Sequence, residues 1–172
     1  MKKIVVIGPE STGKSTLCEQ LAHHYQTIWC KEYAREYLLK NGMNYSYDDL
    51  LTIAKGQLDL EDKTLDESKN QLYFIDTNMY VMQVWCEYVY GRCHQLIIDE
   101  IVKRKYDLYL LTNIDLPWVK DELREYPDEK PRKELYKMYK ELMIQEVTPW
   151  IDICGSYEER LRKAIEAVDA IR

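Results

Sequence analysis

A chain of 172 residues has room for one domain around a single core, and its 46% hydrophobic and 31% charged residues exclude a disordered polymer. A formal net charge of −6 tells against a broad electrostatic grip on nucleic acid or anionic lipid. No stretch approaches the ~18 consecutive apolar residues of a membrane span, and 5 widely spaced cysteines without a Cys-x-x-Cys pair read as reduced thiols of a cytoplasmic protein.

Two lysines precede the first apolar run, but that run is too short for a signal peptide and closes at Gly8-Pro9, so residues 4–7 read as a buried strand. Residues 15–25 follow as an amphipathic helix, 27–30 as a short strand, and 33–40 as a helix stopped by Asn41-Gly42. The charge density of 48–68 predicts a long, largely exposed helix. Next come a strand at 72–75, an aromatic-rich helix at 78–90 ending at Gly91, and a helix at 94–103. Residues 108–111 are apolar on both faces, as a central parallel strand requires. A polar, proline-punctuated segment runs from Asp115 to Pro131, followed by a helix from Arg132 to about Gln145 and a strand at 150–154. Ser156-Tyr157-Glu158-Glu159 is a capping box that opens the last helix. The alternation predicts an α/β, three-layer, single-domain fold, with a parallel sheet of about five strands and helices on both faces.

Gly8-Pro9-Glu10-Ser11-Thr12-Gly13-Lys14-Ser15 fits G-x-x-x-x-G-K-[ST], directly after a strand and at the start of a helix. Gly8 and Gly13 allow the tight turn that aims successive amides at phosphate oxygens, and the helix N-terminus adds partial positive charge. Lys14 is placed to bridge the β- and γ-phosphates of a nucleoside triphosphate, and the Ser15 hydroxyl to ligate Mg²⁺. With Ser11, Thr12 and Thr16, these residues form the expected ATP cradle. Thr112-Asn113-Ile114-Asp115 is not the guanine-reading N-K-x-D, which favours ATP over GTP. Glu10 is unusual beside phosphates: it either orients an attacking hydroxyl or points outward.

Ligands of open parallel sheets sit beyond the carboxyl ends of the strands. Asp76 ends one strand, in the position of a metal-holding carboxylate that is also free to cap the next helix. Glu32 follows the short strand, where it is either a base for a substrate hydroxyl or a first-turn glutamate favoured by the helix dipole. Arg35, one turn on, joins Glu32 in binding a polyol such as ribose, or forms a plain surface ion pair with it. The segment at about 115–132 is the expected lid, with Arg124 and Arg132 as candidate arginines over the transferring phosphoryl group. Gly155, Ser156 and Tyr157 are candidates for the adenine side. Trp29, Tyr33, Trp85 and Trp118 are the aromatics near these elements, available for stacking or simply for packing.

The chain resembles the ribosylnicotinamide kinase domain of NadR-type proteins. The blocks that carry the likeness are Gly8–Thr16, Trp29 with Glu32-Tyr33-Ala34-Arg35-Glu36-Tyr37, Asp76-Thr77, Leu110 through Asp115, Pro117-Trp118, and Gly155 through Leu161. That resemblance implies a P-loop nucleoside-kinase fold and transfer of the ATP γ-phosphate to the 5′-hydroxyl of nicotinamide riboside, a step of NAD salvage. It implies Lys14 and Ser15 for phosphate and metal, and Asp76 for metal or base duty. Glu32 and Arg35 would take the nucleoside, with Trp29, Tyr33, Asp115 and Trp118 around it, and Arg124 and Arg132 would serve the lid. Asn78 departs from the Asp-Thr-Asp of the pattern. Because the sequence opens at the P-loop strand, the expectation is a kinase part standing alone, its oligomeric state left open.

Overall fold

The computed structural model describes all residues from Met1 to Arg172. Five strands and seven helices follow in order: β1 (Lys2–Ile7), α1 (Lys14–His24), β2 (Trp29–Cys30), α2 (Tyr33–Asn41), α3 (Tyr47–Glu67), β3 (Leu72–Asp76), α4 (Met79–Tyr90), α5 (Gln95–Lys103), β4 (Leu108–Thr112), α6 (Glu129–Gln145), β5 (Trp150–Ile153) and α7 (Tyr157–Asp169). All strand pairings are parallel and the spatial order is β2-β3-β1-β4-β5.

β1 is the centre of this sheet because it is apolar on both faces. Ile4 and Val6 enter one core with Leu17 and Leu21 of α1 and Ala164 and Val168 of α7. Val5 and Ile7 enter the opposite core with Val81 and Val84 of α4 and Leu135, Tyr139 and Met143 of α6. β1 lies between β3 and β4, and the chain builds the sheet first on the β3 side and then crosses to the β4 side, so the carboxyl end of β1 is the switch point where such sheets hold ligands.

A third cluster joins α2, α3, α4 and α5 away from the sheet: Ala34, Leu38, Leu50, Ile53, Met82 and Ile97 are among its members. The expectation of a largely exposed α3 is corrected here. That helix buries Leu50, Ile53, Ala54, Gln57, Leu58 and Glu61 along one stripe, and its charges crowd the remaining face. Its buried Glu61 is matched by Arg104 at 3.2 Å and by the Tyr106 hydroxyl at 3.1 Å. β2 is shorter than expected, because Thr27 makes a helix-end turn to Ala22 and spends its hydroxyl on the Leu72 carbonyl at 2.9 Å. α6 starts three residues earlier than expected, with Pro131 in its first turn, where a missing N–H costs nothing. Asn78 caps α4, accepting from the Tyr80 amide at 3.1 Å, and Ser156 with Glu159 forms the capping box that the sequence predicts.

Candidate active site

The loop after β1 turns on residues that only small side chains satisfy. Gly8 has φ +144, and a Cβ there would lie 2.4 Å from Thr112 Oγ1 and 2.8 Å from the Thr112 carbonyl. Thr12 stitches the loop internally, donating to the Pro9 carbonyl at 2.7 Å and lying 2.6 Å from the Thr112 hydroxyl. Lys14 folds back so that its ammonium donates to the Pro9 carbonyl at 2.9 Å. From outside, buried Arg160 clamps the loop by donating to the Thr12 carbonyl at 2.7 Å and to the Asn113 carbonyl at 2.9 Å. The result is an anion cradle at the open N-terminus of α1, whose first turn holds no acidic residue.

Ser15 donates to Asp76 Oδ2 at 2.5 Å, so a hydroxyl and a carboxylate meet at the rim of that cradle. Asp76 is fully buried at the end of β3. Burial, helped by repulsion from Glu32 and opposed by Lys14 and Ser15, pushes its carboxyl up to about 7. A hydroxyl and a carboxylate side by side are the hard oxygen donors that a Mg²⁺ bound mainly by triphosphate and water would require. No cluster of three or more His, Cys, Asp or Glu side chains is present to hold a metal by protein ligands alone.

A cavity of about 410 Å³ runs from this cradle between α2, α4 and the segment before α6. The loop from Gly8 to Thr16 forms one end. Glu32 and Arg35 form a flank, and Leu38, Val81, Val84 and Trp85 give an apolar wall. Glu32 is the N-cap residue of α2 but makes no side-chain cap hydrogen bond, which leaves its carboxylate free to accept from a ligand.

The segment 116–126, the expected lid, borders the cavity through Asp121 and residues 123–126, and the phosphate loop itself holds it. Glu10 accepts the Glu125 amide at 2.9 Å, the Tyr126 amide, and the Trp118 indole N–H at 3.5 Å. Ser11, at φ 55, accepts the Val119 amide at 2.9 Å. Asp121 pairs with Arg35 of α2 at 2.9 Å. Glu10, for which the sequence leaves two orientations open, turns its carboxylate to the amides of this segment while still lining the cavity.

The cavity thus brings together the loop residues Gly8, Glu10, Ser11, Thr12, Gly13, Lys14, Ser15 and Thr16 with Glu32, Arg35 and Arg124. It leaves others of the expected set aside. Trp29 packs against the α1–α7 core, because Trp29 and Cys30 alternate across β2 and Cys30 takes the cavity side. Tyr33 is committed to α3: its amide donates to Gln57 Oε1 at 2.8 Å, and its ring covers Gly56. Asp115 pairs with Arg160 and accepts the Gly155 amide at 2.6 Å, which ties two loops together. Trp118 reaches Glu10 rather than the cavity wall. Arg132 is buried in α6 and donates to the Leu116 carbonyl at 3.1 Å, so it anchors the lid stem instead of reaching over the loop. Gly155 and Ser156 form the turn and cap of α7, and the Tyr157 ring lies 3.3 Å from where a Gly13 Cβ would be, outside the cavity.

Sequence reading missed Asp121, Glu125, Tyr126 and Tyr88 on the cavity and Arg160 behind the loop. The spacing Val81, Val84, Trp85, Tyr88 along α4 was the available signal for one wall; the lid residues carry no local pattern.

A family model described as AAA domain matches residues 3–160. The trifunctional NAD biosynthesis/regulator protein NadR of Escherichia coli (strain K12) is 28% identical over 173 residues, covering 98% of this chain and 42% of that protein. The chain therefore spans less than half the length of that relative. A crystal structure of a NadR protein in complex with NR superposes with a TM-score of 0.82 at 25% identity, covering 99% of this chain and 49% of the other. A NadR protein in complex with NAD and AMP-PNP gives 0.79 at 24%, over 99% of this chain and 49% of the other. Deoxyadenosine kinase from M. mycoides with bound dATP gives 0.64 at 13%, over 98% of this chain and 100% of that one; it shares the P-loop kinase fold. No helix is long and apolar enough to cross a membrane.

Proposed function

The chain belongs to the AAA domain family of P-loop proteins, and on that premise we propose that it is an ATP-dependent kinase that phosphorylates the 5′-hydroxyl of nicotinamide riboside. One observation carries the proposal. A single cavity joins a phosphate cradle, through Lys14 and Ser15, to a free carboxylate and a guanidinium on α2, beneath a lid. The likeness to NadR proteins, one of them in complex with NR and another with AMP-PNP, supports both the acceptor and the donor.

In this reading the amides of the loop and of the α1 N-terminus hold the β- and γ-phosphates, and Lys14 leaves the Pro9 carbonyl to neutralise them. Ser15 and Asp76 are the residues that would hold Mg²⁺, which when bound spreads the charge developing on the transferred group. Glu32 accepts the hydrogen bond, and then the proton, of the acceptor hydroxyl, while Arg35 steadies the ribose. Arg124 contributes charge from the lid, and closure keeps water from competing with the alcohol. Arg132 and Trp118 act through lid position, not by touching the substrate. Five free cysteines support a reducing, cytoplasmic setting for this reaction.

The test is turnover of ATP with a panel of nucleosides, followed by identification of the product. Nicotinamide mononucleotide formed only when nicotinamide riboside is present is the expected result. Turnover with a different nucleoside alone would reassign the acceptor, and hydrolysis indifferent to any acceptor would overturn the kinase reading.

A further inference from the structure

The lid end of the cavity carries a carboxylate with no assigned task. Glu125 lines the cavity at its exposed rim and accepts the Tyr45 hydroxyl at 3.0 Å. The Tyr45 oxygen in turn accepts the Trp85 indole N–H at 2.9 Å, so the carboxylate is oriented by a relay running back into α4. No lysine or arginine pairs with it. Every basic group on the cavity is engaged elsewhere: Arg35 with Asp121, Arg124 with the Val119 carbonyl, and Lys14 with the Pro9 carbonyl.

The surroundings of Glu125 sharpen the point. Partial burial, helped by repulsion from Glu10 and opposed by the Tyr45 hydroxyl, raises the Glu125 carboxyl. Trp85, Tyr88 and Tyr126 supply aromatic surface beside it, with the Tyr45–Trp85 rings 5.0 Å apart and the Tyr88–Tyr126 rings 5.4 Å apart, both edge-on. Negative charge without a protein cation, next to π surface, is the arrangement that favours a flat cationic ligand.

We propose that Glu125 is a specificity-determining residue, selecting an acceptor whose heterocycle carries a positive charge. The Glu125 amide is held by Glu10 of the phosphate loop, but its carboxylate turns to Tyr45, itself bonded to Trp85 of the apolar wall, so it meets the base part of the acceptor and not the hydroxyl that reacts. The inference rests on the acceptor occupying this end of the cavity as proposed above. It adds a chemical criterion to that reading: a pyridinium riboside is preferred over a neutral riboside of the same shape.

Two measurements test it. The first compares kcat/KM for a pyridinium-carboxamide riboside and its uncharged dihydro counterpart, in the natural chain and in Glu125→Gln. The expected result is that the preference for the cation falls about tenfold or more in the variant, the scale of one charge-assisted contact. An unchanged ratio overturns the proposal. The second titrates N-methylated pyridine carboxamide, a cation, against the unmethylated neutral amide, with tryptophan fluorescence as the readout and no phosphoryl transfer needed. Tighter binding of the cation, lost in Glu125→Gln, supports the proposal even if neither riboside is phosphorylated, in which case the nicotinamide riboside reading alone falls. Equal binding of the two amides to the natural chain, or a preference that survives in the variant, overturns it whatever the kinase assay shows.

Discussion

At Gly56 the backbone of α3 passes directly beneath the Tyr33 ring, and a methyl group there would lie 2.1 Å from Tyr33 Cε1. Alanine is the better helix former by about 1 kcal/mol, but a clash this deep in a packed site costs about 1–3 kcal/mol or more. Gly56→Ala is therefore expected to lower stability in urea unfolding, and adding Tyr33→Leu to recover most of the loss. Lys14 presents the opposite case. Its ammonium is on the cavity surface and holds only the Pro9 carbonyl, so Lys14→Ala is expected to remove at least 10²-fold of transfer while leaving the unfolding midpoint nearly unchanged. Near-normal turnover in that variant would sink the phosphate-cradle assignment. Lys14 was legible in sequence because its chemistry depends on immediate neighbours. Tyr33 was not, since its partner Gly56 is met only through the packing of two helices.

The lid is an element without regular structure, held by groups from elsewhere in the chain. Three donors converge on Glu10, and Asp121 adds an ion pair to Arg35. Glu10→Ala is expected to speed amide exchange across residues 118–126 and to raise acceptor-independent ATP hydrolysis, because an open lid admits water. An unaltered hydrolysis-to-transfer ratio would separate the lid from water exclusion. The Arg35 guanidinium holds the Asp121 carboxyl below its ordinary 3.8. A depressed carboxyl contributes stability that is present above that ordinary value and fades as pH falls through the lower, folded one. The added exchange caused by Asp121→Asn should thus be seen at pH 7 and be absent in acid below the folded value. The helices and strands were legible because their apolar spacing repeats every 3.6 or 2 residues. The lid contacts were not, since Glu10 and Tyr126 stand 116 residues apart and nothing in either's neighbourhood announces the other.

For the whole molecule, the sheet order puts the P-loop at the switch point and lets ligand binding report on global stability. Saturation with an ATP analogue at about 100 times Kd adds about 2.7 kcal/mol to the folded state, which for a chain of this size raises the midpoint by roughly 5–10 °C. Lys14→Ala should lose most of that shift, and a full shift in the variant would place the nucleotide elsewhere. The three cores have a separate consequence. β1 and α1, which carry the phosphate loop, are fixed by the two sheet-face clusters, whereas Ala34, Leu38, Met43, Trp85 and Leu123, on the acceptor side, belong to or pack on the third. Part of the cavity wall thus rests on a core that does not touch the phosphate loop, while Val81 and Val84 share a core with β1. Substitutions at Leu38 or Met43 are therefore expected to reshape the far wall of the cavity while leaving the midpoint shift given by an ATP analogue intact, since neither side chain packs against β1 or α1.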